Sequence, residues 1–442
     1  MVSVSHAQDV FTEEQLIAVV KKFHPVARQS VLANKIAEAH TLASRGVFDP
    51  VASFEKGRKE FGGVDYYDNT AGELRLPTWY GIDFVAGGER LIGDRLNPEE
   101  TKGTMNYVGV SVGVIQNLVI DRRRAAITQA RLFARQTEMD QRIVVNELLA
   151  DATDAYWDWW RSYEYQKLAT AALSTATRRH QMVVNSFQLG ERAAIDTVES
   201  YAQIQLFGLR VNEASLELFK SRLELSAYLW TEGDQPFELP EQVVPSTSYV
   251  PQPIPYDSLM TQLNTHPVIA AYDFRVKQLD IQQRLNLQSL LPDVKLYYNQ
   301  LGTNISSSLK SAWFDNNFRY GVSIALPLRL SEARGEYQAA KLKTQQARLS
   351  LANKALELRV KVNQYYREWV QLEVQVDKQR EIADSYRRIQ LGEETKLTNG
   401  ESSLFLVNAR ELRTVEEAQK LIDIQSKLQK ARNTLKATAA LF

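Results

Sequence analysis

The sequence predicts a mainly α-helical chain with a β-barrel part, built as two homologous halves that each run helix, strands, long helical hairpin. Three observations carry this: two long tracts nearly free of proline and glycine, short strand-textured segments between them, and an internal duplication. The chain has 442 residues, 53 basic and 53 acidic side chains, 44% hydrophobic residues and no cysteine. Such a balance suits a large folded chain and removes thiolate metal sites, thiol nucleophiles and disulfides. Zero formal net charge without a basic block removes the electrostatic footprint of nucleic-acid binding. No window approaches about 18 consecutive apolar residues, so a helical membrane span is excluded, and any bilayer crossing must be a closed β-barrel.

At the N-terminus, Ser5, His6 and Ala7 place small residues at the −3 and −1 positions of a signal-peptidase site, but the charged and apolar regions that precede one are missing. Residues 1–12 read as a signal-peptide remnant or a disordered N-terminus. All thirteen prolines lie outside 99–235 and 328–442, no glycine occurs between Gly113 and Gly190, and only Gly392 and Gly400 follow Gly335. Proline breaks helix interiors and glycine weakens them, so these tracts predict long helices. Residues 124–189 alone make a rod of roughly 100 Å at 1.5 Å per residue. Leu148, Ala152, Ala155, Tyr156 and Trp159 recur at the spacing of one helix face, a stripe that reads as packing rather than a cofactor contact.

Strand texture appears at 49–61, 71–92, 104–116, 293–302 and 317–328, where β-branched and aromatic residues alternate between Gly, Asn, Asp and Ser clusters. Pro77 followed by Thr78, Trp79, Tyr80 and Gly81 can divide the second of these into two strands. Residues 231–264 form a linker, and 236–255 hold six of the thirteen prolines.

The duplication is read from spacing. His24-Pro25-Val26 recurs as His266-Pro267-Val268, with Pro50 and Pro292 following at the same offset of 242. Tyr107 with Gly109-Val110-Ser111 resembles Tyr320 with Gly321-Val322-Ser323. Beyond them the offset settles at 210, matching Tyr156 to Tyr366, Trp159 to Trp369 and Gly190 to Gly400 without a gap. The first repeat is 13–230, with strands in 49–116 and a tip near 190; the second is 265–442, with strands in 293–328 and a tip near 400. Helices that leave both ends of a β segment on one side require an even number of crossings, which allows two strands in the second half and two or four in the first.

The order of elements resembles that of the TolC-like outer-membrane efflux channels, the outer membrane factors, over nearly the whole chain. The halves open on His-Pro where that family usually has Asn-Pro. The stretch from Tyr107 to Gln116, followed by Arg122, Arg123, Arg124, Ala125 and Ala126, is similar to its strand ending in a basic, Ala-rich helix start. The tips from Gly190 to Val198 and from Gly400 to Asn408 are similar to its pattern of Gly, a small residue three later, and Asp or Leu six later. The resemblance implies a homotrimeric twelve-stranded outer-membrane barrel continued by a periplasmic helical tunnel with an equatorial belt. It also implies a Gram-negative outer-membrane location, contact with outer-membrane lipid, and partners in a periplasmic adaptor (a membrane fusion protein) and, through it, an inner-membrane transporter. Four or six strands cannot close a barrel with a usable lumen, so protomers must share one sheet. The longer first β segment leaves the strand count open, with twelve preferred.

Candidate residues follow from the resemblance and from spacing. Gly190, Ala193, Gly400 and Ser403 are expected at the adaptor-docking tips, and Tyr156, Trp159, Tyr366 and Trp369 in an equatorial belt packed by the linker. In some channels of the family the second tip carries acids six and nine residues after its glycine; here those positions are Leu406 and Ala409, while the first tip has Asp196 and Glu199. Asp196 and Glu199, with Leu404, Phe405 or Leu406, are the expected pore constriction. The five histidines (6, 24, 40, 180, 266) lack metal-ligand spacing, and neither a phosphate loop nor a nucleophile elbow occurs, so no metal, cofactor or catalytic site is expected. The expected function is a passive exit channel of a tripartite efflux system for small molecules. Alternatives are the exit duct of type I protein secretion and, from a different class, a soluble coiled-coil scaffold.

Overall fold

A computed structural model describes residues 10–116, 120–246, 254–310 and 316–442. Strand β1 (Val10–Phe11) and helices α1 (Glu13–Phe23) and α2 (Pro25–Arg45) lead into β2 (Val51–Phe61), β3 (Val64–Pro77), β4 (Ile82–Ile92) and β5 (Gly103–Gly113). Helices α3 (Arg122–Gln188) and α4 (Ala194–Ser226) follow. The chain then passes through β6 (Val244–Pro245), α5 (Tyr256–Gln262), α6 (Pro267–Gln288), β7 (Asp293–Gly302), the short α7 (Ile305–Lys310) and β8 (Phe318–Ala325) to α8 (Ser331–Thr398) and α9 (Leu404–Thr438). The two longest helices, of 67 and 68 residues, occupy the tracts without proline. No described helix is long and apolar enough to cross a membrane. The signal-remnant expectation falls mostly on residues outside the described ones, but Val10–Phe11 pair with Val244–Pro245 and Thr12 caps α1, so order begins before residue 13.

Two compact units result, and they cut across the sequence halves. One holds the chain up to Ala33, Met139–Ile269 and Asn353–Phe442; the other holds Asn34–Glu138 and Ala270–Ala352. Within the second lies a single antiparallel sheet of order β2-β3-β4-β5-β7-β8. The first half therefore supplies four strands to it, where the preferred twelve-stranded reading requires two. The cause is local. Gly62 and Gly63, with φ of +64° and +76°, make the two-residue turn whose twist suits a tight hairpin, and Thr78–Gly81 make a second turn that splits the longest strand candidate. Of residues 64–70, absent from the strand candidates, Val64, Asp65 and Tyr67 thus pair with β2, and Asp68, Asn69 and Thr70 with both neighbours.

The sheet has two chemically distinct faces. Leu74 and Leu76 of β3 share one with Ile82, Phe84 and Ala86 of β4, Val108, Val110 and Val112 of β5, Leu296 and Tyr298 of β7, and Tyr320, Val322 and Ile324 of β8. The other carries Glu73, Arg75, Asp83, Glu89, Lys295 and Arg319. Alternation of this kind, broken by Val85 and Leu91 on the polar face and Arg90 on the apolar one, is the pattern of a wall between an apolar and a polar phase.

The helical unit is packed by aromatics. Leu16 and Val20 of α1, Leu149, Ala152, Tyr156, Trp157, Trp159 and Trp160 of α3, and Leu225, Leu229 and Leu239 form one core. Val362, Trp369 and Val376 of α8, Leu259 of α5, and Leu428, Ala431 and Leu435 of α9 form another. Both His-Pro pairs do the same job. The Nδ1 atoms of His24 and His266 each accept a hydrogen bond, 3.2 Å long, from the backbone N–H two residues on (Val26, Val268), which caps the helix that the proline begins.

Candidate functional site

The hairpin tips are built by one device used twice. Helix α3 ends on Gly190 at φ +76° and α8 on Gly400 at φ +79°. Gly190 N–H donates to Phe187 O (2.9 Å) and Glu191 N–H to Ser186 O (2.9 Å); Gly400 N–H donates to Leu397 O (3.2 Å) and Glu401 N–H to Lys396 O (2.8 Å). This is a left-handed C-terminal cap, for which glycine carries no Cβ penalty. Ala193 and Ser403 then stand, exposed, at the N-caps of α4 and α9. Ser403 Oγ accepts from Leu406 N–H, whereas Ala193 offers no side-chain cap.

The expected constriction residues divide. Asp196 lies 3.6 Å from Arg192 and Glu199 accepts a 3.0 Å hydrogen bond from Asn408 Nδ2, so both acids are engaged within the protomer. Leu404 is buried at 2% exposure: it packs inside the tip and cannot line a passage in this conformation. Phe405 and Leu406, at 68% and 42%, do present apolar surface.

Between the hairpins sits a polar network that sequence reasoning missed. Arg179 of α3, 6% exposed, reaches Glu411 of α9 at 2.6 Å, Glu394 of α8 at 2.9 Å and Asn408 of α9 at 3.3 Å. Asn408 passes the chain on to Glu199 of α4. All four long helices are thereby joined by charge-assisted bonds in a site where an unpaired ion would be costly. A signal was available: Arg179 stands eleven residues before Gly190 and Glu411 eleven after Gly400, positions that face each other when two hairpins lie side by side.

Tyr156 and Trp159 lie in the first aromatic core with the linker residues Leu239 and Val243. Tyr156 Oη donates to Phe11 O (2.9 Å) and accepts from Ser246 N–H (3.1 Å), joining both strands of the β1–β6 pair. Tyr366 and Trp369 lie in the second, where Tyr256 packs on Tyr366 with ring centres 5.0 Å apart. The linker residues 247–253 are outside the described ones. Burial raises the Asp154 carboxyl from 3.8 to about 6; Lys430 opposes the shift, and Asp158, Asp151 and Glu13 add to it. The Glu13 carboxyl, also buried and taking a 3.2 Å bond from Trp157 Nε1, is raised too.

In the sheet unit, a cavity of about 790 Å³ opens against the polar face, lined among others by Arg75, Asp83, Asp121, Arg123, Asp293 and Lys295. Arg123 pairs with Asp83 at 2.9 Å and Lys295 with Asp293 at 3.1 Å. Among the described residues no group of three or more His, Asp or Glu side chains is placed to hold a metal ion.

Solved structures share this architecture. The chain is similar to the CmeC outer membrane channel of Campylobacter jejuni, at 14% identity over 97% of this chain and 86% of that one, with a TM-score of 0.67. It is similar to the outer membrane protein VceC of Vibrio cholerae (13%, 97% and 96%, 0.68) and to the open state of the MtrE outer membrane channel of Neisseria gonorrhoeae (15%, 97% and 88%, 0.65). No family model and no curated protein matches the chain. The fold is that of the TolC-like outer-membrane channels.

Proposed function

We propose that the protein is a passive exit channel of the outer membrane, a homotrimer through which a periplasmic pump and adaptor export small molecules from a Gram-negative cell. The observation that carries this reading is the six-stranded sheet, apolar on one face, charged on the other, and unpaired at both edges among the described residues. A soluble scaffold has no use for such a sheet. In a bilayer the apolar face meets lipid, the polar face meets a water-filled lumen, and free edges are satisfied only by further copies. Exposed apolar residues at heptad spacing support self-association: Leu209, Leu216 and Leu223 on α4, and Leu342, Leu349 and Leu356 on α8, lack a covering helix within the protomer.

In this reading the two aromatic cores, with the linker residues packed on them, form the equatorial belt, and the tips dock an adaptor through the small side chains at Ala193 and Ser403. Phe405 and Leu406 narrow the passage, with Asp196 and Glu199 as its acidic lining. Chemistry is confined to conduction, with no bond made or broken. The reading is tested by reconstituting the purified protein in planar bilayers and by deleting its gene and challenging the cells with a panel of toxic amphiphiles beside a comparison of secreted proteins. Discrete channels and hypersensitivity are expected. A detergent-free, monodisperse rod with no conductance overturns the reading, and loss of a secreted protein without hypersensitivity moves it to type I secretion.

A further inference from the structure

We propose that β2 of one protomer pairs with β8 of the next, so that all six strands of each copy stand in the wall and three copies close an eighteen-stranded barrel; this rests on the trimeric-channel reading above. Closure with twelve strands requires the β2–β3 hairpin to leave the wall and β4 to become the edge. That edge is already occupied: β3 pairs with β4 without interruption from Asp68↔Ile92 to Pro77↔Asp83.

Three features make the hairpin wall rather than appendage. The first is tilt. Val51, the first residue of β2, stands in one row with Arg75, Val85, Gly109, Asn299 and Arg319, while β8 runs on six residues past Arg319 to Ala325. Six residues of advance at about 3.4 Å, over the six strand steps of about 4.8 Å that lead from β2 of one copy to β2 of the next, is a slope of about 35°, inside the usual range for barrel strands. The advance is shared by β2 and β3, as a single tilted wall requires.

The second feature is a repeated contact on the polar face. A Cβ on Gly87 of β4 would lie 2.5 Å from the Tyr107 ring of β5, and one on Gly321 of β8 would lie 2.4 Å from the Tyr297 ring of β7. A tyrosine thus lies across a cross-strand glycine in both hairpins that the twelve-stranded barrel keeps. The β2–β3 hairpin has a looser, diagonal version of this contact: Gly57 pairs with Asn69, and a Cβ on it would lie 3.5 Å from the ring of Tyr67, which pairs with Lys59. The third is alternation. Ala52 and Phe54 continue the apolar face onto β2, and Lys56 and Arg58 follow them away from the helix-bearing end, where the lipid band would give way to headgroups. The backbone donors and acceptors along the outer edges of β2 and β8 require partners in hydrocarbon, and each edge is the partner the other lacks.

The absence of native cysteine makes the pairing directly readable. Carrying the advance of six residues into the next copy places its Val51 opposite Ala325 and its Ser53 opposite Ser323, both on the polar face. A Ser53→Cys/Ser323→Cys chain, oxidised in membranes, is expected to give covalent trimers on a non-reducing gel, as is Phe54→Cys/Val322→Cys on the outer face. Val85→Cys/Ser323→Cys, the pair that a four-strand protomer would bring together, is expected to stay unlinked, because Val85 lies two strands inside the sheet. Linking of the Val85 pair instead of both β2–β8 pairs overturns the proposal. So do trimers in which no pair links, an outcome that leaves the channel reading standing. Protein that inserts into membranes only as monomer overturns the channel reading and the barrel together.

Discussion

At the turns of the two long hairpins the backbone is the same and the side chains are not. Gly190 and Gly400 share a left-handed conformation and the same pair of capping hydrogen bonds. At the offset of 210, however, Arg179 corresponds to Ile389, Glu199 to Ala409, Val184 to Glu394, Val198 to Asn408 and Tyr201 to Glu411. No member of the polar network is present in both halves. Duplication has kept what the turn requires and lost what two identical hairpins could not provide, which is complementarity. An arginine facing its own copy is repelled, whereas Arg179 facing Glu411 holds the hairpins in one register.

The largest effect should come from removing one side of that pairing. Arg179→Ala leaves Glu411, 2% exposed, without its cation, at an expected cost of about 3–5 kcal/mol in denaturant unfolding of the detergent-solubilised protein. Ile389→Ala, at the matching and exposed position of the second half, should cost well under about 1 kcal/mol. Replacing Arg179 by Met together with Glu411 by Leu should restore most of the stability, since an apolar pair of similar volume avoids the desolvation penalty. Equal losses for Arg179→Ala and Ile389→Ala would erase the asymmetry.

A second contrast lies in the aromatic cores. Asp154 of α3 corresponds to Gln364 of α8, so only the first core carries a buried carboxyl there. Its Oδ1 has no hydrogen-bond partner, and burial raises its pKa from 3.8 to about 6. Between those values the folded chain keeps a proton that the unfolded chain has released, so this group costs stability progressively as pH rises through the window, and the full cost persists unchanged above it. Asp154→Asn should therefore stabilise at pH 7, by about 1–2 kcal/mol allowing for partial solvent screening, and have little effect near pH 4. A gain independent of pH would assign the effect to packing instead.

The His-Pro caps test how alike the halves are. Both Nδ1 atoms accept from a backbone N–H, and burial lowers both pKa values, at His266 with the Thr438 backbone partly opposing the shift and the Arg142 charge adding to it. A depressed histidine pKa means that the unfolded chain takes up protons first. Each cap thus loses stability as pH falls from about 6.5 towards the folded value. His24→Ala and His266→Ala should each cost about 1 kcal/mol at pH 7.5, and His→Asn, which keeps an acceptor, should recover most of it and flatten the acid limb. A loss at one site only would make the repeat a resemblance of sequence without a shared role.

What was legible in the sequence was backbone punctuation. Pro327 marked where α8 could begin, the glycine-free run from Gly113 to Gly190 framed α3, and the two tip glycines marked the ends of both, because these residues act through local φ and through the missing N–H. The Thr78–Gly81 turn was legible for the same reason. The Gly62–Gly63 turn was overlooked because Glu55, Lys56, Arg58, Lys59 and Glu60 hide the period-two pattern of β2, which becomes readable only from the face set by β3. The Arg179 network was hidden for a different reason. Its members come from four helices up to 232 residues apart, and each alone is an ordinary charged residue on a helix. Leu404 reads as lumen lining from its distance to Gly400 alone, because the sequence sets that position and not the side-chain direction; a step of one residue on a helix turns a side chain by about 100°.

The smallest difference between the halves is one oxygen atom. Ser403 caps α9 through Leu406 N–H, and Ala193, at the same position of α4, has the extended backbone of an N-cap (φ −75°, ψ 152°) without the acceptor. Ala193→Ser should supply it and stabilise the tip by about 0.5–1 kcal/mol, while Ser403→Ala should remove as much. The two changes are nearly isosteric at exposed sites, so both should leave adaptor docking intact if it depends on small side chains, whereas Ala193→Trp and Ser403→Trp should abolish export with trimers still forming. Cross-linking to an adaptor and export assays on the four variants separate the cases. If Ala193→Ser stabilises the tip and impairs docking while Ala193→Trp docks normally, then the missing hydroxyl, and with it a looser first turn of α4, is what the adaptor reads, and the asymmetry of the two tips extends from their charges to their caps.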